Sequence, residues 1–187
     1  MRRRTLTLAL LLATAPLTGC GYNQIQTYDE QINVAQSQIE TQLRRRADLI
    51  PQLVETVKGF ANQESEVLTN VTRARAGLEG ELNREGGASP EALARADAEL
   101  TRSISVVVEA YPQLRSNENF LRLQDELVGT ENRLATARSD YNTSVGAYNA
   151  YIRRFPQTIT ARVTGAEARE YFRVEDAADR EAPQVKF

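Results

Sequence analysis

Apolar residues recur every seven positions at Phe120, Leu127, Leu134, Tyr141, Tyr148 and Phe155, with Leu123, Ala137, Val145 and Ile152 beside them. A side chain returns to nearly the same face of an α-helix after seven residues, so this spacing predicts one long helix with a continuous apolar seam. Such a seam is buried only against others like it, and the chain carries three more. One runs Ile25, Tyr28, Ile32, Ala35, Ile39, Leu43. The next runs Ile50, Leu53, Val57, Phe60, Glu64, Val67, Val71, Ala74, Leu78, interrupted by a single acid. The third runs Leu93, Ala96, Leu100, Ile104, Val107, Tyr111.

Local signals set the ends of these helices. Gly86-Gly87-Ala88-Ser89-Pro90-Glu91 combines a breaker, an N-cap, proline at the first helical position and an acid near the positive end of the helix dipole, which starts the third helix. Tyr111-Pro112 stops it, because the residue before proline is pushed out of the α region. Ser116 is placed to cap the fourth helix, and Phe155-Pro156 to end it. Between the first two stripes, Asp48 can act as an N-cap with Pro51 in the first turn of a new helix, or Pro51 can kink one longer helix. The short connections near Gly86 and Pro112 make sequential helices antiparallel neighbours. The expected fold is all-α: an elongated antiparallel up-and-down bundle of three long rods, the first kinked or broken into two (four helices in all), with a partly irregular C-terminal tail. In that tail Ile159, Val163 and Gly165 read as extended chain, Ala166 to Phe172 as a short helix, and Asp176 to Phe187 as polar tail.

The amino end reads as an address. Arg2-Arg3-Arg4 precedes an apolar run of about 12 residues, too short to span a bilayer, and then Leu17-Thr18-Gly19-Cys20. This resembles a bacterial lipobox, which implies cleavage before Cys20, thioether linkage of that cysteine to diacylglyceryl, and further acylation with a fatty chain such as palmitate. Several acyl chains hold a protein on a membrane where one lets it exchange. Gly21, where such lipoproteins carry aspartate for inner-membrane retention, implies the outer membrane facing the periplasm in a Gram-negative envelope. In other envelopes the outer face of the plasma membrane is expected. The domain division is thus 1–19 signal peptide, 20–156 bundle and 157–187 tail packing partly on the bundle.

The chain has no histidine and one cysteine. That excludes an imidazole general base, a Ser/His or Cys/His nucleophile pair, His-ligated metals and an intrachain disulfide. Loss of the first 19 residues removes three arginines, leaving 20 basic against 25 acidic side chains, net −5. This does not suit nucleic acid, and Arg44-Arg45-Arg46, the one tight basic cluster, lacks interleaved aromatics and reads as a solvated helix face.

Charges also fall where apolar residues belong: Glu64 in its seam, Glu131 and Arg138 one heptad apart beside theirs, and Arg73, Arg75 and Glu109 facing or flanking the core. Interior charges must pair, so these six are expected to form a structural polar network that fixes helix register. The competing reading is a ligand or hard-cation site with oxygen donors, or, less readily, a hydrolytic carboxylate pair. Tyr141-Asn142 and Tyr148-Asn149, seven apart, read as core tyrosines with hydrogen-bonded asparagines, or as a stripe for docking a partner.

Several segments together resemble the LemA family: Leu43-Arg44-Arg45-Arg46-Ala47-Asp48-Leu49-Ile50-Pro51, Glu109-Ala110-Tyr111-Pro112-Gln113-Leu114, Thr130-Glu131-Asn132, Tyr141-Asn142, Tyr148-Asn149 and Phe155-Pro156. The resemblance covers nearly the whole mature chain. It implies a helical bundle anchored at its amino end, no enzymatic activity or cofactor, and an accessory role among envelope proteins, one branch being associated with magnetosome membranes. By the same resemblance, Arg46, Asp48, Pro51, Tyr111, Pro112, Asn132, Tyr141, Asn142, Tyr148 and Asn149 are family-motif positions. Two departures stand out: Gln36 where relatives commonly carry tryptophan, and a lipobox where most have a transmembrane helix. The expected function is a non-catalytic lipid-anchored scaffold or adaptor for another envelope protein or for membrane organisation. Its partners would be the membrane and an envelope protein, with self-association possible and no nucleic acid.

Overall fold

The computed structural model describes residues 2–59 and 66–173, with side chains from residue 21 onward. Those residues form α1 (Arg2–Lys58), α2 (Glu66–Leu82), α3 (Pro90–Ala110), α4 (Glu118–Ile152) and α5 (Gln157–Thr164), with a 3-10 turn over Pro112–Ser116. Among the described residues there is no strand, and no helix is long and apolar enough to cross a membrane.

Capping chemistry sets the ends of α3 and α4. The Ser89 hydroxyl accepts from Ala92 N–H at 3.1 Å, Pro90 occupies the first turn, and the helix closes where Tyr111 N–H reaches the Val107 carbonyl. The turn before it uses Gly86 and Gly87 at φ +87° and +84°, a region side chains disfavour. The cap of α4 differs from expectation. Asn117 Oδ1, not Ser116, accepts from Phe120 N–H at 3.0 Å, while the Ser116 hydroxyl donates back to the Gln113 carbonyl. The 3-10 turn consumes Ser116 and leaves Asn117 as the half-helical residue.

The chain divides into two compact units, Met1–Ser37 with Ser139–Tyr171, and Gln38–Arg138 with Phe172–Phe187. In the first, Ile25, Ile32 and Ala35 of α1 are buried, as are Tyr141, Val145, Tyr148 and Ile152 of α4, and Tyr28 lies 5.2 Å from Tyr151 ring to ring. In the second, Ile39, Leu43, Ile50, Leu53 and Val57 of α1 are fully buried, as are Val71 and Leu78 of α2, Leu93, Leu100 and Val107 of α3, and Phe120 and Leu134 of α4. Hydrogen bonds fix its helix directions. Arg75 meets Ala47 while Arg44 meets Leu82, so α1 and α2 run oppositely; Arg46 meets Glu131 while Gln42 meets Arg133, so α1 and α4 do too. Helix α2 packs along α3.

Helix α1 does not break at Pro51, and Asp48 is an exposed residue within it rather than a cap. An interior proline cannot bond the carbonyl four residues back, a defect costing about 3 kcal/mol or more in a free helix. Here that carbonyl, Ala47, instead accepts from Arg75 Nε of α2 at 3.0 Å. The long-range partner replaces the missing local one, so the helix continues to Lys58. Phe60 and Glu64 lie outside the described residues.

The carboxyl-terminal expectations are reversed. Residues 157–164, read as extended, form α5, and 166–172, read as a short helix, have no regular structure. Gly165 explains the switch: at φ +69° it adopts the left-handed conformation that ends a helix, and Ala166 N–H reaches back to the Ala161 carbonyl at 2.9 Å. Phe155, expected in the α4 seam, lies past the end of that helix and is 81% exposed.

Candidate functional site: a buried charge cluster

Arg46 of α1 is the centre of the cluster. Its position completes the run Ile39, Leu43, Arg46, Ile50, Leu53, Val57, which steps alternately by four and three, so the helix points it into the core, where it is 4% exposed. Asp97 likewise completes Leu93, Asp97, Leu100, Ile104, Val107 on α3 and is 2% exposed. Glu131 and Arg138 follow the buried Thr130 and Ala137 of α4 by one residue and sit at the edge of that seam.

Arg46 Nη1 donates to Asp97 Oδ1 at 3.1 Å and to Glu131 Oε2, and Nη2 donates to the Thr101 hydroxyl at 3.0 Å. That hydroxyl donates to the Asp97 carbonyl at 2.8 Å. Arg138 Nη2 donates to Asp97 Oδ2, Nη1 lies 3.8 Å from Glu131 Oε1, and the guanidinium stands 5.0 Å from the centre of the Phe172 ring. Two cations thus face two anions. Burial raises the Asp97 pKa above its ordinary carboxylate value; Arg46 and Arg138 oppose the rise and Glu131 adds to it. Arg46 Nε and Arg138 Nε are buried without a hydrogen-bond partner.

Of the six residues expected in a polar network, Glu131 and Arg138 stand in this cluster. Arg73 is exposed and bonds Asn70 of its own helix, Glu109 is exposed, and Arg75 caps the Ala47 carbonyl and pairs with Glu79 at 2.7 Å. Glu64 lies outside the described residues. The arginine triplet is not a solvated face throughout: Arg45 is exposed, but Arg46 is buried and Arg44 donates to the Leu82 carbonyl at 2.8 Å, where a cation complements the C-terminal end of α2. Among the other motif positions, Tyr111 is half-buried, and Pro112 and Asn132 are exposed. Asp97 and Arg46 are members that the apolar seams alone do not mark. The four-three spacing is the signal that finds them, since it selects Asp97 over Ala96, which is only half-buried.

The second constellation holds the segment that follows α5. Buried Asn149 donates through Nδ2 to the Arg169 carbonyl and accepts from Arg169 N–H, both at 2.9 Å. Tyr141 donates to the Glu170 carbonyl at 3.1 Å, and the Arg169 guanidinium donates twice to Asp29 Oδ1, at 3.0 and 2.6 Å. Burial raises the Tyr141 and Tyr148 phenol pKa values, and hydrogen bonding to Asp29 raises that of Arg169. Tyr141 and Asn149 therefore hold residues 166–171, and Asn142 alongside is half-buried. A groove of about 430 Å³ runs past Ile25, Gln26, Asp29 and Tyr148 beside that segment.

An all-helical chain whose inward charges are matched to one another, with the irregular segment after α5 bound by side chains of α1 and α4, is the class these features define. Residues 35–187 match the LemA family, and the chain belongs to it. Similar proteins include the magnetosome protein MamQ 2 of Paramagnetospirillum magneticum, 29% identical over 181 residues, covering 84% of this chain and 66% of that one. The magnetosome protein MamQ of Magnetospirillum gryphiswaldense is 27% identical over 182 residues with the same coverage. Protein LemA of Metamycoplasma hominis is 22% identical over 133 residues, covering 71% of this chain and 60% of that one. The chain thus spans about two thirds of the length of these relatives, or slightly less.

Proposed function

We propose that this chain is a non-catalytic cell-envelope protein, held on a membrane by lipid at Cys20, that serves as scaffold or adaptor for another envelope protein or for membrane organisation. One observation carries the reading: the chain's single cysteine closes Leu17-Thr18-Gly19-Cys20, directly after an export-type charged and apolar run. The charge cluster supports it, because buried Asp97 and partly exposed Glu131 each face a guanidinium, so neither acid stands unpaired for general acid–base work. The magnetosome proteins among its relatives agree with a role at a membrane. In this reading the helices pack as an up-and-down bundle, and the outer membrane is the protein's place in a Gram-negative envelope.

Crosslinking in the native envelope, followed by affinity capture and mass spectrometry, tests it with Cys20→Ser as the control. The expected result is an envelope partner captured by the parent chain and lost in the variant. Equal capture by a released, soluble variant would refute the dependence on the anchor.

A second reading, a ligand-binding lipoprotein using the Glu/Arg cluster, draws on Arg46 Nε and Arg138 Nε, N–H donors buried without partners and so suited to an anion. It predicts a rise in melting temperature with added inorganic phosphate that disappears in Arg138→Gln.

A further inference from the structure

Helix α5 is amphipathic in the inverse sense. It buries the small side chain of Ala161, while Ile159 and Val163, one turn apart on its outer face, are 54% and 83% exposed. Phe155, just ahead of the helix, is more exposed than any seam residue of α4. Elsewhere the exposed apolar side chains are sparser: Val34 and Val106 occur singly along their helices, and Leu121 and Val128 of α4 stand seven residues apart. Two large apolar groups one turn apart, with Phe155 exposed just ahead of them in sequence, leave apolar surface that water solvates poorly.

Two observations identify what covers it. The first is charge: Arg153, Arg154 and Arg162 are exposed around this surface, and no acidic residue occurs between Ile152 and Glu167, although the chain as a whole is net acidic. Large apolar groups rimmed by arginines match an anionic phospholipid interface, where the apolar groups enter the acyl boundary and the guanidinium groups meet phosphates. The second is position. Gly21 packs against α5 so closely that a Cβ there would lie 3.3 Å from Thr160 Oγ1, and Gly21 directly follows Cys20. Tyr22, the next residue, is also exposed, a side chain suited to a boundary that is apolar on one side and wet on the other.

We infer that Phe155, Ile159 and Val163, with Arg153, Arg154 and Arg162, form a membrane-contacting foot that seats α5 on anionic lipid next to the anchored residue. The inference rests on the lipid-anchor reading for its orientation, but its contact surface is separate. A tethered domain without such a foot swings freely about its lipid; with it, the domain is fixed in one pose above the bilayer.

The chain has no tryptophan, so a single introduced one is its sole indole emitter. Full-length Val163→Trp and Phe155→Trp proteins, purified from membranes, are reconstituted in phosphatidylcholine vesicles with and without phosphatidylglycerol, and Val128→Trp serves as the control. The expected result is a blue shift and loss of emission to brominated acyl chains at 155 and 163, enhanced by phosphatidylglycerol, with neither at 128. Arg153→Gln/Arg154→Gln/Arg162→Gln removes the phosphatidylglycerol enhancement. Unquenched emission from protein that is in the vesicles overturns the foot, as does equal quenching at 128. A concentration-dependent blue shift without lipid also overturns it, assigning the surface to a second copy. The mass of Cys20 in the same samples separates the two readings. Lipidated Cys20 with unquenched tryptophan leaves the anchor and removes the foot, whereas unmodified Cys20 with quenched tryptophan does the reverse.

Discussion

Arg75 of α2 places Nε 3.0 Å from the Ala47 carbonyl of α1, the acceptor that Pro51 leaves without its helical donor. The two helices are thereby joined at the one point where α1 lacks its own hydrogen bond. Proline, often a helix terminator, here creates a site for a long-range contact.

This makes the cost of Arg75→Ala depend on Pro51. In the parent chain the substitution leaves a buried carbonyl unpaired and should cost about 1–3 kcal/mol in urea unfolding. In a Pro51→Ala background the restored N–H can bond Ala47, so the same substitution should cost distinctly less. Equal costs in both backgrounds would show that the Ala47 contact is incidental.

The charge cluster predicts non-additivity of a different kind. Arg46→Met leaves Asp97 with Arg138 alone, and Asp97→Leu leaves two guanidinium groups to share Glu131; each should destabilise by about 3–5 kcal/mol, since the cluster is left with a net charge. The double variant Arg46→Met/Asp97→Leu should lose less than the sum of the singles. Melting curves of the four proteins provide the cycle.

Asp97 also sets a pH dependence. Its pKa is raised on folding, so between the unfolded value of 3.8 and its folded value the native state holds the extra proton. Stability from this group is therefore greatest at low pH and is lost as pH rises through the folded pKa. Comparing urea unfolding of the parent and Asp97→Asn over a pH series isolates this contribution from that of the other carboxylates. The parent should gain on the variant as pH falls toward 3.8; a difference that is flat or moves the other way contradicts the assignment.

Asn149 should govern the segment it grips. Asn149→Ala removes both bonds to Arg169, so trypsin should cleave after Arg169 faster than in the parent chain. Asp29→Asn, which weakens only the side-chain pair, should accelerate cleavage less. Unchanged cleavage in Asn149→Ala would mean the clamp does not hold this segment.

Helical spacing made most of the architecture readable in advance, because Leu43, Leu100, Leu134 and Val145 recur at positions only a helix brings to one face, and all are buried. Ser89-Pro90 and Tyr111-Pro112 marked the ends of α3 through local sterics alone. What escaped depended on distant partners. Pro51 reads as a break until Arg75 is known to supply the missing donor. Residues 166–172 carry helix-forming side chains, yet Asn149 and Tyr141 bind their backbone from another helix. The charge cluster is half visible in the sequence: Glu131 and Arg138 stand out beside the most regular seam, whereas Asp97 sits next to Ala96, which fits an apolar seam better, and Arg46 sits in an arginine triplet that reads as a solvated face.

The most direct test of an anchored, non-catalytic envelope protein is the intact mass of the mature amino terminus, with membrane fractionation of the parent and Cys20→Ser side by side. The account predicts a chain beginning at Cys20 that carries diacylglyceryl and a further acyl group, with the variant lost from the membrane fraction. A chain that keeps residues 1–19, or begins at an unmodified Cys20 and fractionates as the variant does, would contradict it.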